Sequence, residues 1–191
     1  MIKLARFILS LSMIILILSA CSGSIASNKD IDTLTENIGL KKETVFKNLK
    51  LEEGKNIDQL WNIVGTYAFK EERTFHGKSL TLALNFNNDT DEMYGFTYIK
   101  EFKDNGKDGY DLTKELYKDL NKEFGEPTTY PMLSKRIAVM PDYEELEPGI
   151  TDYMEIWEVN DELDVELRMN VVDGNVTLVF VTYKLSGFPE V

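Results

Sequence analysis

The chain has 191 residues, 33 acidic against 21 basic side chains and a net charge of −12. So acidic a chain is repelled by phosphate backbones and anionic lipid heads, which excludes nucleic acid as an expected partner. Its one cysteine rules out an internal disulfide, and its one histidine argues against a zinc site.

Lys3 and Arg6 precede a run from Phe7 to Leu18 that is apolar apart from Ser10 and Ser12. A membrane-spanning helix needs about 20 apolar residues, so this shorter run reads as the core of a secretory signal. Small residues then lead straight into the cysteine, as Leu18-Ser19-Ala20-Cys21. This stretch resembles the lipobox of bacterial lipoproteins. The resemblance implies cleavage after Ala20, a diacylglyceryl group on the Cys21 thiol and attachment to the extracytoplasmic side of a cell membrane. Two acyl chains anchor stably where one binds only marginally. Residues 1–20 are thus expected to be a cleaved signal peptide, residues 21–29 a lipidated cysteine with a flexible linker, and residues 30–191 a single domain. Ser22 to Asn28 is small and polar and reaches at most ~25 Å when extended, so the domain is expected to work close to the bilayer. Ser22 is not the Asp that, in the family, directs inner-membrane retention.

Ile31, Leu34 and Ile38 fall at helical spacing, with Gly39 as a C-cap. A second helical segment is predicted over Lys41–Lys50, with Val45, Phe46 and Leu49 on its apolar side. The period then changes to two. Trp61 to Arg73 reads as a strand, and His76-Gly77 as a hairpin turn. Leu80, Leu82, Leu84 and Phe86 alternate with Ser79, Thr81, Ala83 and Asn85 in a half-buried strand. Asn87 to Asp91 is turn chemistry, and Tyr94, Phe96 and Tyr98 alternate in a third strand.

The clearest helix carries Leu112, Leu116, Leu120 and Phe124, with Asp111 as N-cap and Gly125 and Pro127 as its stop. Residues 126–151 hold four of the five prolines and read as a long loop. Three more strands follow. The first holds Trp157. The second alternates Leu163, Val165, Leu167, Met169 and Val171 against Asp164, Glu166, Arg168 and Asn170. The third, after an Asp173-Gly174 turn, runs from Val176 to Tyr183 and is apolar enough on both faces to be central.

The expected fold is therefore α+β: an antiparallel sheet with helices on one face, in the order helix, three strands, helix, three strands. An internal duplication is one reading of that order. The order resembles the β-lactamase-inhibitor-protein type of fold, and it is similar to small lipoproteins of the outer-membrane assembly machinery. These resemblances imply an inhibitor of a secreted hydrolase as one function, although fold alone does not assign one.

Four features could carry chemistry. Asp104, Asp108, Gly109 and Glu115 fall at positions 1, 5, 6 and 12 of a calcium-binding loop. Gly106 stands at position 3, where an Asp or Asn ligand is expected, so the segment reads first as a loop entering a helix, and calcium as the weaker alternative. Asp142, Glu144, Glu145, Glu147 and Asp152 cluster in the long loop and read as a solvated face. His76 is the only candidate base for a Ser-His or Cys-His site, and its setting is a turn. Tyr94, Phe96, Tyr98, Tyr153, Trp157 and Tyr183 would form a binding surface if they lay on an uncovered sheet face, and otherwise they belong to the core.

No catalytic residue, cofactor or resident metal is assigned from these patterns. The leading expectation is a non-catalytic binding module on a lipid tether, meeting an envelope protein, a peptide or a wall polymer. Inhibition of a secreted hydrolase and an envelope enzyme with paired carboxylates are the alternatives.

Overall fold

Alternation of side chains decides the sheet. In the computed structural model, which describes residues 28–60, 63–103, 106–128, 140, 142–146, 152–172 and 175–187, the alternating segments all pair antiparallel. Two short helices lead, α1 (Asn28–Thr35) and α2 (Lys42–Leu49). Five strands follow: β1 (Ile57–Gln59), β2 (Thr66–Phe69), β3 (Arg73–Phe75), β4 (Lys78–Phe86) and β5 (Met93–Glu101). Helix α3 (Gly106–Phe124) and a single 3-10 turn (Tyr143–Glu145) come next. Then come β6 (Asp152–Asn160), β7 (Leu163–Val172) and β8 (Asn175–Leu185).

The strands form one eight-stranded sheet in the order β1-β2-β4-β5-β8-β7-β6, with β3 paired to the first part of β4. Each half of the chain contributes a meander, and the two meanders join through their last strands, β5 and β8. The expected strict alternation of one helix with three strands is not the order observed: two helices and five strands precede α3. The single strand expected over Trp61–Arg73 is also shorter. Trp61 lies outside the described residues, Thr66–Phe69 is a strand, and Arg73 already belongs to β3. Gly65, at φ 82°, starts it against β4, where a Cβ would stand 2.4 Å from the Phe86 carbonyl oxygen. Side chains are excluded there, so the chain must turn before it can pair.

Local chemistry explains the turns. His76 and Gly77 both have positive φ (45° and 74°), the requirement of a two-residue hairpin turn whose twist matches its strands. The Asn87 side-chain oxygen accepts from the backbone N–H of Asp89 and Thr90 (2.8 and 3.1 Å), closing the turn before β5. The expected turn at Asp173-Gly174 lies outside the described residues.

The core lies between the sheet and the helices. Leu82, Leu84, Phe96, Tyr98, Val165, Leu167, Met169, Val179, Val181 and Tyr183 share one sheet face and are all buried. Helix α3 lays Leu116 and Leu120, both fully buried, on that face. Trp157 Nε1 donates to the Gly125 carbonyl (2.9 Å) and to Asn121 Oδ1 (3.2 Å), tying the end of α3 to β6. Phe46 of α2 packs edge-on to Tyr67 and Phe86.

Helix α3 begins at Gly106, not at the Asp111 cap the sequence suggests. Its first turns press against the start of β8: a Cβ on Gly106 would stand 2.9 Å from Val176 N, and one on Gly109 2.6 Å from Val176 Cγ1. The two glycines that read as loop residues permit close approach. Asp111 instead pairs with Lys107 one turn back, at 2.8 Å. β8 is central as expected, but its burial is one-sided: Val176, Val179, Val181 and Tyr183 are buried, while Leu178 and Phe180 are only half-buried.

Candidate functional site

Cys21, the expected lipid attachment residue, and the first calcium candidate, Asp104, lie outside the described residues. The other two calcium candidates lie within α3. Asp108 and Glu115 are seven residues apart there, a rise of about 10 Å along a helix, and carboxylates that far apart cannot share one ion. The segment is helical because Gly106 and Gly109 let it dock on β8, and Glu115 pairs with Lys78 instead. In the acidic loop, Asp142 and Glu144 are exposed. Glu144 adds to the pull of Asp111 that raises the Lys107 pKa. Of the rest, Glu147 and the side chains of Glu145 and Asp152 are outside the described residues.

The six aromatic candidates do not form an uncovered surface. Tyr94, Phe96, Tyr98, Tyr153, Trp157 and Tyr183 are all at most 8% exposed. Alternation puts Phe96, Tyr98 and Tyr183 on the face that the helices cover, so they stack among themselves: Phe96 on Tyr183 (4.9 Å, 7°) and Phe75 on Tyr98 (4.4 Å, 23°). Burial pushes the Tyr98 hydroxyl up to about 12, and it raises those of Tyr153 and Tyr183 as well.

The seam between α1, the end of α3 and the β6–β7 hairpin leaves a cavity of about 500 Å³. Its apolar wall is Ile31, Phe124, Val159 and Leu163. Asp32, Glu36 and Glu123 bring three carboxylates to it, and Thr35 a hydroxyl. Tyr183 completes the lining, although the residue is only 2% exposed. The Tyr183 hydroxyl has no hydrogen-bond partner among the described residues. Its pKa is raised by burial first and then by the charge of Glu123, which lines the same cavity. His76 comes to this place too, through the β3–β4 turn. Its Nε2 lies 3.2 Å from Glu123 Oε2, an ion-pair distance without an aligned hydrogen bond.

Each wall has a sequence origin. The i, i+4 spacing of Asp32 and Glu36 puts both on one side of the α1 segment. Glu123 and Phe124 end α3 just before Gly125, whose φ of 85° stops the helix. Tyr183 comes from the regular alternation of β8. Only Tyr183 and His76 were among the sequence candidates. The carboxylates carried no signal, because 33 acids make any three unremarkable before the chain is folded.

The opposite sheet face carries a second polar system. Thr66 Oγ1 donates to Asn85 Oδ1 (3.3 Å), Asn85 Nδ2 to Thr97 Oγ1 (2.8 Å), and Thr97 meets Thr182 at 3.0 Å. Beside this row Lys184 Nζ binds Glu166 Oε2 at 3.0 Å, with both side chains 9% exposed. All these groups are satisfied by one another, so the row joins strands and offers no free valence.

No family model, no curated protein and no solved structure matches this chain.

Proposed function

We propose that this protein is a lipid-anchored lipoprotein of the cell envelope, and that its single domain is a non-catalytic module binding an envelope protein, a peptide or a wall polymer through the cavity beneath α1. The anchor is the diacylglyceryl group on Cys21, implied by Leu18-Ser19-Ala20-Cys21 and by the apolar run before it. The observation that carries the binding half is the cavity itself. Its volume of about 500 Å³ falls in the range of ligand sites, and it joins an apolar wall to a few convergent polar groups. Helix α1, which with the residue after it supplies Ile31, Asp32, Thr35 and Glu36, starts at Asn28, at the end of the expected linker. A ligand in the cavity is therefore met next to the bilayer. The same reading takes the two meanders as copies of one ancestral unit, supported by their joining through β5 and β8.

Growth with labelled palmitate tests the anchor: label and membrane sedimentation are expected for the wild type and lost in Cys21→Ser. A photo-crosslinking residue at Val159, exposed at the cavity rim, tests the module in intact cells. One discrete adduct is expected, abolished by Cys21→Ser. Retained label in Cys21→Ser would overturn the anchor, and the absence of any adduct at Val159 would overturn the cavity as the binding place.

A further inference from the structure

Taking that cavity as the binding place, we propose that α1 is its lid. The helix undocks as one unit, on a hinge between Thr35 and Asn37, while the rest of the domain stays folded. On the far side of that hinge the chain is clamped. Asn37 is buried, and its Oδ1 accepts from Asn48 Nδ2 in α2 (2.9 Å). Gly39 N donates to the Met93 carbonyl (2.7 Å), and Met93 N to that of Leu40 (2.9 Å). Lys41 and Lys42 then pair with Glu92 and Asp91, both at 3.1 Å. On the near side the hold is slight. Of the described α1 side chains only Leu34 is buried, and Ile31 packs half-buried against the core. Asp30, Asp32 and Thr33 are exposed. Thr35 Oγ1 and Asn37 Nδ2 donate within the segment itself, to the Ile31 and Thr33 carbonyls (2.8 and 2.7 Å).

Eight residues are too few to hold a helix in water, where even about 12–15 are marginal. Helix α1 therefore keeps its shape only while Leu34 and Ile31 stay docked. Charge works against that docking. Asp32 and Glu36 share the cavity lining with Glu123, and among the described residues the lining holds no lysine or arginine. Like charges gathered there repel. Undocking has two consequences. It withdraws Ile31, Asp32, Thr35 and Glu36 from the cavity wall, so the cavity opens on that side. It also lengthens the connection to the anchor proposed above. Eight helical residues span about 12 Å and at most about 27 Å when extended, so the domain gains about 15 Å of reach. The lid thereby couples access to the cavity with distance from the membrane.

The test is hydrogen exchange of the lipidated mature chain in detergent micelles, read amide by amide by NMR across a urea series. Residues 32–36 are expected to share one protection factor, at least about a hundredfold below that of the β5 and β8 amides. Their exchange should hardly depend on urea, because the opening exposes little surface. Leu34→Ala should speed it at least about tenfold while β5 and β8 stay strongly protected. Glu123→Gln should slow it about twofold or more, which a merely structural loss would not do. Three results would overturn the lid. One is exchange of residues 32–36 together with β8 at the same urea slope. Another is protection that climbs residue by residue toward Glu36, which is fraying of a chain end. The third is faster exchange in Glu123→Gln. Exchange is read without ligand, so it is independent of the Val159 adduct in cells. A shared local opening without an adduct would remove the cavity as the binding place and leave the hinge. An adduct without that opening would remove the lid alone.

Discussion

Replacing Tyr183 by phenylalanine should make the ligand-free protein more stable. Tyr183 is 2% exposed, and its hydroxyl finds no partner among the described residues. Burying such a group unsatisfied costs about 1–3 kcal/mol. Phenylalanine removes that cost and keeps the ring, which stacks on Phe96 at 4.9 Å and meets Phe75 and Phe124 edge-on at 6.3 and 6.4 Å. The void left by one oxygen is small, so a net gain of about 1 kcal/mol is expected, or roughly 2–4 °C in Tm for a domain of this size. Urea unfolding followed by tryptophan fluorescence reads it directly. The pH dependence has a definite sign. Burial, and then the Glu123 charge, hold the folded hydroxyl well above its ordinary value of 10.0. Above about pH 10 the unfolded chain therefore releases a proton that the folded chain keeps, and the wild type loses stability that the variant does not. The variant's advantage should thus widen in alkali. A variant destabilised by about 1 kcal/mol would mean that the hydroxyl is satisfied in the free protein.

Gly95→Ala should destabilise by at least about 3 kcal/mol in the same assay, because a Cβ would stand 2.4 Å from the Tyr183 carbonyl oxygen, and two central strands cannot both give way. Lys184→Met leaves Glu166 buried without its partner and should cost about 3 kcal/mol; adding Glu166→Leu should recover most of that loss. Glu155 is half-buried; burial raises its pKa, the Tyr153 hydrogen bond opposes this, and the Glu126 charge adds to it. Its folded pKa thus exceeds the unfolded 4.5, so the charged form is penalised above the folded value and both states are protonated below 4.5. Glu155→Gln is therefore expected to stabilise at neutral pH by less than ~1 kcal/mol, given partial solvent screening, with the gain vanishing below about pH 4.5. A gain that grew in acid would contradict it.

The parts of the fold that were legible in the sequence are those ruled by neighbours along the chain. Leu80 to Phe86 and Leu163 to Val171 alternate, and their strands lie where the alternation puts them. His76-Gly77 asks for positive φ and has it. Val45, Phe46 and Leu49 mark α2, and Lys50 ends it in the left-handed region at φ 55°. The start of α3 was not legible, because Gly106 and Gly109 look like loop until β8 is brought against them. The sequence also assigned the six aromatics no side. Which sheet face a strand offers to the helices depends on what packs there, and periodicity only says that the two faces differ.

The candidate site divides in the same way. From the sequence come the expected address at Cys21, the excess of acid and the alternation of the main strands. Those follow from local pattern and composition. It takes the folded chain to bring Asp32 and Glu36, Glu123 and Phe124, Tyr183, and Val159 and Leu163 of the β6–β7 hairpin to one cavity. The two ends of that cavity are separated by most of the domain's sequence. They meet because β5 and β8, the last strands of the two meanders, pair at the sheet's centre. That pairing is a long-range contact between two apolar strands, and no residue within either strand records its partner.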